Sequence, residues 1–391
     1  MITVNEAKQL VENNVLPLPL KRVPIAEAAG RTLASNVYAI CHIPAFAQSS
    51  MDGYALKFSD KDQPLDVNGE MAAGTAVKIK INSGETARIF TGAPLPDGAD
   101  TVVMQEKVTI IGNKIKIEDE KLTQGSNVRN MGAEIKAGEL AMEAGSFLSP
   151  AAIGFLAGIG IAEVDVFPAP KLAIIVTGKE LQTPGKDLAF GQVYESNSFS
   201  LTAALKNEGI NEIEVFSADD DLQALQNVLE KALAANDVVL LTGGVSVGDY
   251  DFVLEASALC NVKQIFHKVK QKPGKPLFFG TKDGKVVFGL PGNPSSVLNC
   301  YYNYVVPALK LLSQQESKIT EIEATLAADY EKPAGLTHFL KATYTRGLAT
   351  PLTAQESFRL SSFAQANCLI ILEQDRSHFK KGESIKVVLI N

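Results

Sequence analysis

Apolar positions change their period along this chain, and the middle third reads differently from the two ends. Between Lys171 and Ser313, short continuous apolar runs alternate with stretches at helical spacing. Leu172–Val176 (LAIIV) is such a run and ends in Thr-Gly, the pattern of a strand buried on both faces. Phe199, Leu201, Ala204 and Leu205 fall on one side of a helix predicted over 197–208 and closed by Gly209. Positions 211–216 alternate as a strand, and Asp220 or Asp221 stands ready to cap a helix carrying Leu222, Leu225, Val228, Leu229 and Leu233. Val238–Leu241 predicts the next strand, followed by a glycine loop from Thr242 to Asp251. Val286–Phe288 then leads into Leu-Pro-Gly-Asn-Pro and a last helix from Ser295 towards Leu312. Such repetition predicts a doubly wound, mostly parallel sheet that binds ligands at the carboxyl ends of its strands.

The flanks predict β structure. From Pro44 to Glu134, glycines, prolines and short β-branched segments dominate (76–81, 101–104, 108–117), with no helical run. Short strands return beyond Lys318, at 321–325, 339–344, 369–373 and 385–390. The first 15 residues predict an amphipathic helix on Ala7, Leu10 and Val11, a region that Glu27–Leu33 continues. Pro168 and Pro170 mark one limit of the α/β segment, and Ser313–Ser317 marks the other. The expected fold is multidomain α/β plus β, a central doubly wound domain flanked by β-rich ones. The parts are residues 1–43 with 138–170, then 44–137, 171–313 and 314–391. The apolar stretch 151–162 lies in a glycine-broken, β-like context and is too short to span a bilayer.

Composition narrows the chemistry. The chain has 391 residues, 46% hydrophobic, with Lys+Arg 37 against Asp+Glu 44, a net charge of −7. Length and apolar content allow two or three globular domains, at about 150 residues each. The acidic balance weighs against bulk attraction to nucleic acid or anionic lipid. Four scattered cysteines and four histidines without a His-Glu-x-x-His array exclude a disulfide framework and point away from structural zinc. The opening MITVNEAKQL has no basic and no apolar leader region, so a soluble cytoplasmic protein is expected.

Three local signals carry candidate chemistry. TGGVSVGDYD, Thr242 to Asp251, follows a buried strand and precedes a helix. Gly243 and Gly244 let the backbone approach a ligand there, and the helix start offers amides to a phosphate. A tight turn capped by Asp249 or Asp251 is the plain alternative. No Gly-Lys-Ser/Thr follows at Walker spacing and no Gly-x-Gly-x-x-Gly occurs, which disfavours a nicotinamide dehydrogenase. Lys263, Lys268, Lys270, Lys272 and Lys275 fall within 13 residues that contain no acid, a reversal of sign suited to a multiply charged anion. If that segment is extended, Lys268, Lys270 and Lys272 share one face; a solvated edge strand is the alternative. Glu180, Asp219 to Asp221 and Asp251 sit at predicted strand ends, where converging carboxylates suit Mg²⁺ or simply cap helices. The Asp-Gly loops at 49–55 and 91–100 are turn signatures and nothing more on their own.

Taken together, the segments resemble the molybdopterin molybdenumtransferases, the family of the bacterial MoeA proteins and the gephyrin E domain. The resemblance rests on Met51–Ala55 (MDGYA), Thr91–Glu106 (TGAPLPDGADTVVMQE), Asn127–Gly138 (NVRNMGAEIKAG) and Thr177–Leu181 (TGKEL). Val193–Ser198 (VYESNS), Thr242–Asp251, Lys272–Pro276 (KPGKP) and Leu290–Pro294 (LPGNP) extend it over nearly the whole chain.

That resemblance implies an elongated four-part protomer that pairs as a homodimer, its active site shared between one subunit's α/β domain and the other's MDGYA domain. The implied reaction takes adenylylated molybdopterin and molybdate, inserts molybdenum and releases AMP with Mg²⁺. It also implies pterin and oxyanion substrates, transient contact with an upstream adenylyltransferase, and neither nucleic acid nor membrane as a partner. By motif position, Asp52, Glu180, Asp220, Asp251, Lys268 and Lys272 are the implied catalytic set. Thr91, Gly243, Gly244, Ser246, Gly248, Lys275, Pro291, Pro294, Lys341, Ser361 and Ser362 are implied on the substrate side. Glu180, Asp220, Asp251 and Glu134 are the implied metal carboxylates. The chain departs from the family pattern at Glu134, where an aspartate is common, and at Lys179, beside Glu180, where another is. Lys341 falls in a stretch that usually carries arginine, and it lacks arginine's bidentate fork. A molybdopterin adenylyltransferase and a non-catalytic gephyrin-like scaffold are the competing readings.

Overall fold

The structure, a computed structural model, describes residues 1–245, 252–315 and 319–390. The chain divides into two compact units, Met1–Lys21 with Gly30–Thr32 and Phe167–Asn391, and Arg22–Ala29 with Leu33–Val166.

The first unit opens with helix α1 (Val4–Asn14). Thr3 and Glu6 form a reciprocal capping box at its start, and Val4, Ala7 and Val11 face the core. Strands β1 (Leu172–Thr177), β2 (Ile213–Ala218), β3 (Val238–Thr242), β4 (Lys263–His267), β6 (Phe278–Lys282) and β7 (Lys285–Leu290) make a six-stranded sheet ordered β2-β1-β3-β7-β6-β4. The strand β5 (Gln271–Lys272) lies between β4 and β6 in the chain but joins a different sheet. Strands β2, β1, β3 and β7 run parallel, as the doubly wound pattern requires, and β6 then pairs antiparallel to both β7 and the edge strand β4.

Every residue of β1 and β3 is buried, because helices cover both faces. On one face Leu172, Ile174, Leu240 and Phe288 pack under α1, α2 (Asn197–Asn207) and the helix that begins at Pro294. On the other, Ala173, Ile175, Val239 and Leu241 meet α3 (Leu222–Ala235) and α4 (Val253–Leu259). Parallel register brings Thr177, Ala218, Thr242 and Leu290 to one rim.

The last helix of this region contains a π turn. It runs as α5 (Pro294–Cys300), a π turn at Tyr301–Val305, and α6 (Val306–Ser313). Pro307 explains the interruption: its ring has no N–H for the preceding turn and crowds the carbonyl four residues back, and the wider turn relieves both.

Strands β8 (Glu321–Leu326), β9 (Thr337–Thr345), β10 (Leu348–Pro351), β11 (Cys368–Leu372) and β12 (Ser384–Leu389) close a five-stranded barrel in the order β9-β10-β8-β12-β11, β11 pairing back to β9. Leu326, Leu340, Ile370, Leu372 and Val387 fill it. To its rim β5 adds in parallel, Gln271 opposite Thr337 and Lys272 opposite His338.

In the second unit, six strands pair in the order Thr101–Met104, Gly53–Leu56, Glu85–Ile89, Leu65–Met71, Lys114–Ile117, Val108–Ile111. A separate core gathers Val23, Ala28, Leu33, Leu148, Leu156 and Val166.

Two expectations are corrected. The apolar stretch 151–162 is not β-like: Pro150–Gly158 is a helix, N-capped by the Ser149 hydroxyl accepting from the Ala152 amide. Its sequence is apolar on every side, so no period marked it. Glu27–Leu33 does not prolong a helix. A 3₁₀ turn ends at Glu27, Gly30 takes φ +77° and Thr32–Leu33 is a strand.

Candidate active site

A cleft of about 350 Å³ opens at the rim where β1, β3 and β7 end. Thr177, Gly178, Glu180, Asn197, Asp220, Thr242, Gly243, Gly244, Pro276, Pro291 and Gly292 are among its lining residues. Gly243 has φ +89° and donates its amide to the Leu290 carbonyl at 3.2 Å. A Cβ there would stand 2.9 Å from Thr177 Oγ1 and 3.0 Å from its carbonyl oxygen, so only glycine lets β3 turn so close to β1. The next residue, Gly244, also has positive φ.

Beside them lie two buried polar atoms without a partner among the described residues, Thr242 Oγ1 and Asn197 Oδ1. The Asn197 amide is fixed from its other end, Nδ2 donating to the Gly292 carbonyl at 2.9 Å. Both residues line the cleft, although these two oxygens themselves are buried beneath its surface.

The carboxylates separate by role. Asp221 caps α3, its carboxylate accepting from the Ala224 amide at 2.9 Å. That leaves Asp220 at the cleft, where it accepts from the Lys179 amide at 3.1 Å. Glu180 folds back over Gly178, where an added Cβ would meet both carboxylate oxygens at 2.9 Å. Two oxygen-bearing acids thus face one cleft. Among the described residues no three carboxylate, thiol or imidazole groups gather as a metal site. Asp251, Ser246 and Gly248 lie outside the described residues. A second cavity, about 570 Å³, shares Gly178 and Leu181 with the first and extends along β2 past Lys179, Phe199 and Val215.

The lysine segment is not a plain strand. Lys268 takes φ +70° after β4 ends at His267, which breaks the alternation, so Lys268, Lys270 and Lys272 do not share a strand face. Lys272 and Lys275 are exposed, and among the described residues no carboxylate pairs with them or with Lys268. Pro276 brings their loop to the cleft wall, while Pro294 starts α5 just beyond Pro291 and Gly292.

Lys341 is placed differently from the oxyanion contact its sequence position implied. It is 2% exposed, and its ammonium donates to the carbonyls of Ala354 (2.9 Å), Arg359 (3.0 Å) and Glu356 (3.3 Å). Burial holds its pKa below the ordinary lysine value. Ser362 is likewise engaged, its hydroxyl donating to the Ala354 carbonyl at 2.8 Å, whereas Ser361 is exposed. Both buried groups organise the 354–359 loop, which docks on the LPGNP turn through Ser295 N to Ser357 O (3.1 Å) and Asn293 Nδ2 to Ser357 Oγ (3.0 Å).

In the second unit Asp52 and Thr91 form a joint. Asp52 Oδ1 accepts from both the Thr91 amide and its hydroxyl at 2.8 Å, and these bonds, backbone first, hold the carboxyl below its usual range. Arg88 lies between the Tyr54 and Phe90 rings, 5.1 and 4.9 Å from their centroids. Glu134 is exposed, its amide donating to the Ile43 carbonyl.

The structure therefore brings Glu180, Asp220, Gly243, Gly244 and Pro291 into one cleft. Thr242 and Asn197 were not among the expected site residues. Thr242 reads as the last residue of a strand and Asn197 as the first of a helix, and only the folded cleft brings them together.

The fold defines a doubly wound α/β domain, with a cleft at the carboxyl ends of its strands, within a larger chain. Residues 173–311 match the family described as "Probable molybdopterin binding domain", residues 2–160 the "MoeA N-terminal region (domain I and II)", and residues 323–390 the "MoeA C-terminal region (domain IV)". The chain is similar to the molybdopterin molybdenumtransferase of Haemophilus influenzae, at 32% identity over 100% of this chain and 99% of the relative. It is similar to that of Staphylococcus aureus strain Mu50 at 32% identity, over 99% and 95%. Among solved structures, a molybdopterin biosynthesis MoeA protein of Pyrococcus horikoshii superposes with TM-score 0.86 at 31% identity, over 100% of this chain and 99% of that one. The chain belongs to the MoeA family of molybdopterin molybdenumtransferases, transferases of molybdenum cofactor biosynthesis.

Proposed function

We propose that this protein inserts molybdenum from molybdate into adenylylated molybdopterin and releases AMP with the help of Mg²⁺. The observation that carries the reading is the cleft at the strand ends, where the positive-φ glycines Gly243 and Gly244 share the lining with the acids Glu180 and Asp220. Gly243 and Gly244 hold the backbone close to the phosphate side of the pterin, on the wall that Asn197 and Thr242 also line. Two adjoining cavities that share Gly178 and Leu181 suit an elongated ligand.

Glu180 and Asp220 fit Mg²⁺, which takes one or two carboxylates and completes its shell with substrate phosphates and water. When bound there, the metal supplies charge neutralisation of the pyrophosphate. Asp220 also accepts from the Lys179 amide, so the TGKEL loop is held at the rim. Lys272 and Lys275, with Lys268 beside them, attract the oxyanion through charge that no carboxylate among the described residues compensates. Lys341 and Ser362 act one step away, by shaping the 354–359 loop. Catalysis then rests on positioning and preorganised charge, with no covalent nucleophile. Asp52 and Thr91 serve the site of a partner subunit in a homodimer, and the upstream adenylyltransferase delivers the substrate in the cytoplasm.

The test is AMP release by the purified protein from adenylylated molybdopterin and Mg²⁺, with and without molybdate, coupled to activation of a cofactor-free molybdoenzyme. Molybdate-dependent release with activation is the expected outcome. ATP consumption without molybdate would instead make the protein an adenylyltransferase, and tight binding without turnover would make it a scaffold.

A further inference from the structure

Beneath the Lys272–Pro276 loop lies a buried polar cluster that the reaction itself does not require. Gln271 is 0% exposed although it precedes an exposed lysine. Its Nε2 donates to the Gly274 carbonyl at 2.8 Å, and its Oε1 accepts from the Tyr304 hydroxyl at 2.5 Å. Asn299 Nδ2 donates to the adjacent carbonyl, Pro273, at 3.1 Å. Asn299 is in turn held by Asn303, whose amide donates to its carbonyl at 2.9 Å. Gly274 sits so near the floor that a Cβ would stand 2.6 Å from Cys300 Sγ. Apart from Gln271 on β5, the floor groups come from α5 and the π turn, and such turns cluster at functional sites.

We infer that Gln271, Asn299 and Tyr304 are positioning residues that hold Lys272 and Lys275 in one fixed geometry for the oxyanion. Two consecutive loop carbonyls, Pro273 and Gly274, are gripped from below by buried amides, and the residues on either side of them project their ammonium groups outward. Left free, two neighbouring like charges would separate, and binding would have to order two long side chains on a mobile loop. The clamp removes part of that ordering beforehand. Burial keeps the Tyr304 phenol far above its ordinary pKa, so it remains a donor at any working pH. The inference rests on the proposed reading that these lysines meet molybdate.

Steady-state AMP release at varied molybdate tests it in the full-length protein. Tyr304→Phe deletes one hydroxyl, and Asn299→Ala frees the Pro273 carbonyl without touching Tyr304; the second variant decides should the first not fold. Each is expected to raise the KM for molybdate about five-fold with kcat within two-fold, as weakening the buried hold on the loop by about 1 kcal/mol, felt only in binding, would. Lys272→Ala is the control, with a larger rise in KM expected. An unchanged KM in the clamp variants beside a raised KM in Lys272→Ala overturns the inference and leaves the cluster a structural floor. An unchanged KM in Lys272→Ala overturns the underlying reading, and the inference with it.

Discussion

The lysine loop and the rim of the C-terminal barrel use the same side chain for opposite ends. Lys272 and Lys275 stand exposed, without a carboxylate partner among the described residues, on a loop whose carbonyls are already held by Gln271 and Asn299. Lys341 is buried, and its ammonium is the partner of three carbonyls. In the first case the backbone is satisfied so that the charge stays available. In the second the charge is consumed so that the backbone is satisfied. An ammonium is therefore left free to meet an anion only where other groups have already met the needs of the chain around it.

The sharpest way to break this contrast is Lys341→Met, which keeps the stem but removes three charge-assisted hydrogen bonds. A loss of about 3 kcal/mol in urea unfolding is expected, with the KM for molybdate changed less than two-fold in the folded fraction. The opposite pattern, intact stability with a raised KM, would place Lys341 among the oxyanion contacts.

A comparable effect follows from His338, which lies opposite Lys272 in the β5–β9 pairing. Burial, followed by the charges of Lys332 and Lys272, pushes its pKa from 6.5 to about 4. Because the folded-state value lies below the unfolded one, the unfolded chain takes up the proton first as pH falls. This contribution to stability is complete above about pH 6.5 and is lost towards pH 4, up to about 3 kcal/mol at 1.36 kcal/mol per unit. His338→Gln should flatten the stability profile in that window. Lys272→Ala should move the His338 titration upward, measured by NMR, because it removes a nearby uncompensated charge.

The smallest effect separates two neighbouring acids. Asp221→Ala should lower stability by about 1 kcal/mol through the lost cap, and leave AMP release unchanged. Asp220→Asn should do the reverse, lowering AMP release with stability nearly intact. Equal losses in both properties for Asp220→Asn would return it to a purely structural role.

Much of this was legible in the sequence. Continuous apolar runs such as Leu172–Val176 mark strands covered on both sides, and the glycine pair after β3 falls where the cleft opens. Asp220 and Asp221 were indistinguishable there, since either satisfies the spacing of a cap, and only the Ala224 amide decides between them. The helix at 150–158 was hidden because it is apolar all round. The fate of Lys341 depends on a loop 13 to 18 residues away folding back over it, which no local pattern encodes.

The pairing of β5 with the barrel also bears on how the molecule can be divided. Gln271 and Lys272 belong by chain order to the α/β sheet region and by hydrogen bonding to the C-terminal barrel. A protein truncated after Ser313 would keep every strand of its parallel sheet, yet would strip Gln271 and Lys272 of their strand partner in the barrel. The barrel is thus no detachable appendage. Shuffling it between relatives replaces the strand that pairs with Gln271 and Lys272, so exchange of modules in this architecture is workable only when both sides of that short parallel seam travel together.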